Sequence, residues 1–426
     1  MKTKINGERR PLPAGWQWKR LFGVLTDIDN GSRPRGGVAG ITSGILSIGA
    51  EHISEYGVLY LANPRYISKE FFSRMSKGVV KPGDILLVKD GATTGRVALI
   101  EKVDKPGFAI NEHVFILRPD KATANSLFLL YALFSPFGQR SILNSFHGAA
   151  QGGITQNFAK SVWIPLPPTS HEQELIAARI KEQMAEARRL RLAAKRQVEA
   201  LQFLISALHQ EIFTSVEAKN WPIQPLSELI ISGPSNGIFK SPEFFGKGAR
   251  LVNVSDLYLG LEVNQTLLGR IEANAGEQVR YSVSEGDVFF CRSSLKFEGV
   301  GKCCYIGKIQ EPTLFECHVI RVKPDIERIK PEYLAFYCQA GEARKYILRA
   351  AKLGTMTTIN HDDIRDLPVP VPSHEVQKTM METVIQKIER IINLEAKAEQ
   401  QLEAINVLPH AILQETFGGF TPLVED

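Results

Sequence analysis

The same long helical pattern occurs twice in this chain. Residues 173–213 and 377–417 each span 41 residues and each begins five residues after a proline, Pro168 or Pro372. Each ends in Gln-Glu-x-Phe, as Gln210-Glu211-Ile212-Phe213 and Gln414-Glu415-Thr416-Phe417. Apolar positions match at a constant shift of 204 residues. The spacing, mostly fours and threes, predicts one apolar stripe along each helix. At ~1.5 Å per residue such a helix extends roughly 60 Å, longer than one small domain can cover. The two stripes are therefore expected to pack on each other, antiparallel and about a pseudo-two-fold axis. The expected seam comprises Ile176, Ile180, Met184, Leu190, Val198, Leu201 and Leu208 from the first helix. From the second come Met380, Val384, Ile388, Ile391, Leu394, Leu402, Ile405 and Ile412. Pro409, where the first helix has Ile205, is expected to bend the second helix near its end.

The repeat extends into the segments that precede the helices. Trp16 leads Leu21 as Trp221 leads Leu226. Gly83-Asp84 opens the run Ile85–Val88 as Gly286-Asp287 opens Val288–Cys291, a turn followed by a buried strand. His113–Asp120 and His318–Asp325 read as strands closed by Pro-Asp, and short helices follow around Leu127–Phe134 and Glu332–Gln339. The exits Ile164-Pro165-Leu166-Pro167-Pro168 and Pro368-Val369-Pro370-Val371-Pro372 are held extended by their prolines. The pattern is a duplicated α/β (α+β) chain: two globular domains, 1–168 and 217–372, separated by spacer helices 169–216 and 373–417, with a tail 418–426. Low similarity between the domains on a shared frame suggests two modules that read different things.

Charge is distributed unevenly. Residues 1–170 carry 21 basic against 12 acidic side chains and residues 373–426 carry 4 against 9, so the first domain suits a polyanion and the second helix a protein partner. No apolar run reaches the ~18 residues of a membrane span, and the N-terminus lacks the apolar core of a signal peptide, so a cytoplasmic location and no membrane partner are expected. Cys303, Cys304, Cys317 and His318 fit no common zinc spacing; buried reduced thiols and no metal are expected.

No catalytic motif emerges. Asn63-Pro64-Arg65-Tyr66 lacks the second proline of an amino-methyltransferase loop. Gly299-Val300-Gly301-Lys302 lacks the first glycine of a phosphate-binding loop, with Lys296 in its place. Polar, glycine-rich loops instead recur at matching places in both halves, where basic and amide side chains could meet phosphates and base edges. In the first half the candidates are Arg33, Arg35, Lys89, Thr93, Thr94, Arg96, His147, Gln151, Gln156 and Asn157. In the second they are Asn236, Lys240, Arg292, Lys296, Lys352, Thr357, Asn360 and His361.

These features together resemble the DNA-specificity subunit of type I restriction–modification systems, over essentially the whole chain. The residues that carry the likeness are the two Trp-x4-Leu starts, the Gly-Asp strands, and the proline-rich exit with Glu172-Gln173 before a long helix. The second exit departs slightly, with Glu375-Val376-Gln377. The resemblance implies two target-recognition domains on double-stranded DNA, each reading half of a split site, with the paired helices setting the gap. It implies two modification subunits that bring S-adenosylmethionine-dependent adenine-N6 methylation, and two restriction subunits that bring ATP/Mg-driven cleavage, with no cofactor on this chain. Alternatives are a solitary DNA-modifying enzyme, which needs a cofactor or carboxylate motif, and a protein-only coiled-coil scaffold, which the basic first domain argues against.

Overall fold

A computed structural model describes residues 11–146 and 152–420. The chain divides into two compact units, residues 1–195 with 400–426 and residues 196–399, so each unit joins a domain to parts of both long helices.

Each unit contains an antiparallel four-stranded sheet of one topology. In the first, the order is Leu25–Asn30, Val114–Pro119, Ile85–Val88, Val97–Leu99; in the second, Ile230–Asn236, Val319–Pro324, Val288–Cys291, Cys303–Tyr305. A three-stranded sheet accompanies each, built on Ile45–Ile48 or Phe245–Val252. The Gly-Asp turns explain themselves here. Gly83 and Gly286 have φ of +92° and +83°, a region that L side chains rarely adopt. The aspartate that follows closes the turn, Asp84 accepting from the Lys81 N–H at 2.7 Å and Asp287 from the Ser284 N–H at 2.9 Å. Each aspartate also meets an arginine of the central strand: Arg118 grips Asp84 with two 2.9 Å bonds, and Arg321 lies 3.7 Å from Asp287.

The proline-rich exits, extended as expected, are strands. Trp163–Leu166 pairs antiparallel with Gln17–Arg20, and Pro368–Pro370 with Ile223–Pro225. The start and end of each domain are thereby tied together beside its helix. Proline is tolerated there because each pair is a two-stranded edge ribbon.

The first long helix runs unbroken from Ser170 to Phe213. The second runs from His374 to Asn406, breaks at Val407, and resumes as Leu408–Phe417 with Pro409 in its first turn, where a missing N–H costs nothing. In the first unit, Ala177 and Ile180 share a core with Leu413 and Phe417, while Arg191 bonds Asn406 at 2.8 Å. Descending one helix thus ascends the other, so the segments run antiparallel. In the second unit, Ile205, Leu208 and Ile212 pack in one core with Met381, Val384 and Ile388.

The inward positions of the first helix are Gln173, Ala177, Ile180, Met184, Ala187, Arg191, Ala194, Val198, Leu201, Ile205 and Leu208. They alternate by four and three, the 3.5-residue period of a coiled-coil seam. Two expected seam residues fall off it: Leu190 is 40% exposed and Leu394 is 51% exposed. The inward places beside them go to Arg191 and Glu395, both half-buried and also 204 residues apart. The heptad step from Ala187 leads to Arg191 rather than to the more apolar Leu190. Arg191 stacks 4.4 Å over the Tyr56 ring and bonds Asn406. Ile180, Val198, Leu201, Leu208, Val384, Ile388 and Ile405 are buried, and Ile176, Met184, Met380, Ile391, Leu402 and Ile412 are half-buried.

Candidate nucleic-acid interface

In the second unit, three loops distant in sequence meet in one concave surface. A depression of about 600 Å³ is lined by Asn236, Arg292, Lys352, Asn360 and His361, with Thr358, Asp362 and Arg365. Local pairing brings them together. Ser293–Ser294 pairs antiparallel with Thr357–Thr358, and the Ile359 N–H donates to the Arg292 carbonyl at 3.0 Å. Asn360 caps the short helix His361–Arg365, its side chain accepting the Asp363 N–H at 2.9 Å. His361 Nε2 lies 3.1 Å from Asn236 Oδ1, joining the first loop to the last. Burial, then the Arg292 and Arg365 charges, lower the His361 pKa, so the imidazole is neutral at pH 7 and keeps an acceptor nitrogen. The surface therefore offers cationic guanidinium and ammonium groups beside amide and imidazole groups, the mixture that meets phosphates and base edges. Leu295 and Leu353, 82% and 79% exposed, stand on the same two paired loops.

Lys240 is elsewhere, pairing with Glu277 at 2.8 Å and lying over Phe244. Lys296 is exposed beside the depression's loop, and Thr357 is buried in the strand pair. Arg365 was missed by sequence reading; its position three residues after Asp362 on the helix opened by Asn360 was the available signal.

The first unit repeats the pairing. The Ile154 N–H donates to the Lys89 carbonyl at 2.7 Å, Asp90 bridges Gly153, and Gln156 Nε2 reaches the Ile28 carbonyl at 2.9 Å. Asn157 precedes a single-turn helix without capping it through its side chain. Arg33 pairs with Glu112 at 2.8 Å and lines a separate depression of about 370 Å³ with Arg65 and Asn111. Arg35 is exposed nearby. Thr94 bonds the Gly91 carbonyl within its own turn, Thr93 accepts from the Arg96 N–H, and the Arg96 side chain turns to the Ile53 carbonyl. His147 and Gln151 lie outside the described residues. His113, not anticipated, bonds Asp90 at 2.6 Å at the start of the central strand. The first unit's candidates are thus more dispersed than the second's.

Cys291, Cys303, Cys304 and Cys338 are buried. Cys303 and Cys304 face two different cores, as neighbours on a strand must. Glu316, Cys317 and His318 hold one potential donor atom each within 4.8 Å, but the Glu316 carboxylate already accepts the His318 N–H at 3.0 Å and closes the turn.

The family model "Type I restriction modification DNA specificity domain" matches residues 35–197 and 252–404. The chain is 23% identical over 319 residues to the type I restriction enzyme EcoKI specificity subunit of Escherichia coli (strain K12), covering 71% of this chain and 67% of that one. It is 22% identical over 320 residues to the StySPI specificity subunit of Salmonella potsdam, with the same coverage. Among solved structures, a chain from work on the assembly and conformational transition of a type I R-M system superposes with a TM-score of 0.74 at 18% identity, covering 97% of this chain and 100% of that one. The HsdS subunit from Thermoanaerobacter tengcongensis gives 0.57 at 18% identity, covering 97% and 99%. With two matched segments that take in most of its length, this chain belongs to the type I restriction modification DNA specificity family.

Proposed function

We propose that this chain is the DNA-reading subunit of a type I restriction–modification complex, each domain recognising one half of an asymmetric, split double-stranded site. The observation that carries this reading is the convergence of Asn236, Arg292, Lys352, Asn360 and His361 on one concave surface of the second unit. The long helices act as the spacer: ~60 Å of helix suits half-sites spaced by turns of B-DNA at ~34–36 Å each. In this reading the chain performs no chemistry. Two modification subunits dock on it and supply S-adenosylmethionine-dependent adenine-N6 methylation, and two restriction subunits supply ATP/Mg-dependent cleavage. Its place is the cytoplasm; among the described residues no helix is long and apolar enough to cross a membrane.

Modified-base sequencing of DNA from cells that express the chain with its modification subunit tests this. The expected result is methylated adenine in both halves of one split motif. Replacing residues 217–372 by those of another family member should change one half only. A change in both halves, or methylation without a split motif, would defeat the reading.

A further inference from the structure

The two units differ at the outer edge of the four-stranded sheet. In the second unit the last strand, Cys303–Tyr305, is not the true edge. The Tyr305 N–H donates to the Leu261 carbonyl at 3.1 Å and the Val263 N–H donates to the Tyr305 carbonyl at 2.9 Å, so Leu261-Glu262-Val263 adds in parallel. Leu261 enters the core, and Glu262 accepts from the Tyr305 hydroxyl at 3.0 Å.

Leu99 is the register equivalent of Tyr305: it faces Ile85 as Tyr305 faces Val288. On either side, Leu86↔Ala98 and the Ile100–Asp84 contact hold the inward hydrogen bonds. The Leu99 N–H and carbonyl therefore point outward. Among the described residues neither meets a backbone partner. At the local shift of 204 residues the segment matching Leu261–Val263 is Gly57-Val58-Leu59, and it folds back on itself instead, Ile53 pairing with Leu59.

That edge lies in a trough. Two depressions of about 550 and 540 Å³ share Leu99, Glu101, Leu127 and Lys181, and together they follow the edge between the helix Ser126–Phe134 and the start of the first long helix. Tyr131 lines the trough; its ring is buried, and its hydroxyl, which has no hydrogen-bond partner among the described residues, is not itself buried. Burial and the nearby Glu101 raise its pKa to about 12, so it is a standing donor. Arg188 also lines the trough, as do Lys181 and Lys102, which are paired with Glu101 at 2.7 Å and Asp104 at 3.6 Å.

We propose that this trough takes an extended peptide strand of a partner protein, added to the Leu99 edge as Leu261–Val263 is added to the Tyr305 edge. The occupant carries apolar side chains on either side of an acidic one. Its backbone meets the Leu99 N–H and carbonyl, its carboxylate meets the Tyr131 hydroxyl and the Arg188 guanidinium, and its apolar side chains fill the groove. The chain's own second half supplies the template for the chemistry.

The test uses the full chain and a fluorescent peptide, Leu-Gly-Leu-Glu-Val-Asn, the sequence of residues 259–264. Saturable binding is expected, weakened about tenfold by Leu99→Pro, which removes the outward donor where an edge strand tolerates proline. Tyr131→Phe should weaken it several-fold without unfolding, because Phe336 stands at the matching helical position in the second unit. A peptide with Leu in place of Glu, which has no acceptor for the hydroxyl, should lose the Tyr131→Phe effect. Absence of saturable binding at millimolar peptide, or equal binding by all variants, overturns the proposal. So does self-association of the chain in sedimentation that Leu99→Pro abolishes, because the edge then belongs to a second copy.

Discussion

Gln173 and Gln377 stand 204 residues apart and make the same three kinds of hydrogen bond. Gln173 Oε1 accepts the Asn125 N–H at 2.7 Å, and its Nε2 donates to the carbonyls of Thr123 at 3.2 Å and Pro167 at 3.5 Å. Gln377 Oε1 accepts the Lys330 N–H at 2.8 Å, and its Nε2 donates to Arg328 at 3.1 Å and Pro372 at 3.0 Å. Both side chains are buried, and both tie the first turn of a long helix to the N-cap of its domain's short helix.

Truncating either glutamine leaves a buried N–H without a partner. Gln173→Ala and Gln377→Ala should each cost about 1–3 kcal/mol. Denaturant unfolding monitored by circular dichroism measures this. A change within about 0.5 kcal/mol would show that water replaces the side chain.

His209 carries a pH dependence. It is buried, stacks near Phe213 and Phe336, and places Nε2 3.0 Å from the Tyr337 carbonyl. Burial lowers its pKa, with the Tyr337 contact opposing in part. The unfolded chain, at about 6.5, binds the proton more readily. This contribution to stability is therefore complete above about pH 6.5 and is lost as pH falls below it. His209→Leu, the residue at the matching position Leu413, should flatten the fall in melting temperature between about pH 7.5 and 5.5. Calorimetry across that range would show it, and an unchanged slope would place the titration elsewhere.

The helix seam makes opposite forecasts for two neighbouring turns. Leu190→Asp should cost no more than about 1 kcal/mol, since the side chain is 40% exposed at the rim of the seam. Ala187→Asp should cost several kcal/mol, because it buries an unpaired carboxylate. Thermal melts of the two variants distinguish a heptad seam from the simple apolar stripe.

Arg292→Ala should weaken DNA binding by the assembled complex about tenfold or more. Asn236→Ala and His361→Ala should relax base preference in one half-site and spare the other. Selection of binding sites from a random library, followed by methylated-adenine mapping, measures both. Equal loss in both halves would contradict reading by separate units.

Much of this was legible in the chain itself. The duplication, the two helices and their lengths, and the Gly-Asp strands were visible because each depends on local chemistry repeated at a fixed shift. The recurrence of Gln173 and Gln377 was visible as well, but not their task. The inward place of Arg191 required a 3.5-residue step, and an apolar count preferred Leu190 because leucine is the more hydrophobic side chain. Among the candidate loops, sequence could name Asn236, Arg292, Lys352, Asn360 and His361. It could not distinguish them from Lys240, whose charge is held by Glu277.

The amino-acid order alone determined a repeated domain-and-helix chain, because hydrophobic period, proline and glycine act within a few residues of themselves. Tertiary structure decided which loops converge, which charges are neutralised within the fold, and which sheet edge stays open. Those outcomes depend on partners a hundred or more residues away, as with His361 and Asn236. The difference between an edge filled by Leu261 and one left open at Leu99 arises in how two matching segments fold back, and no local pattern encodes it.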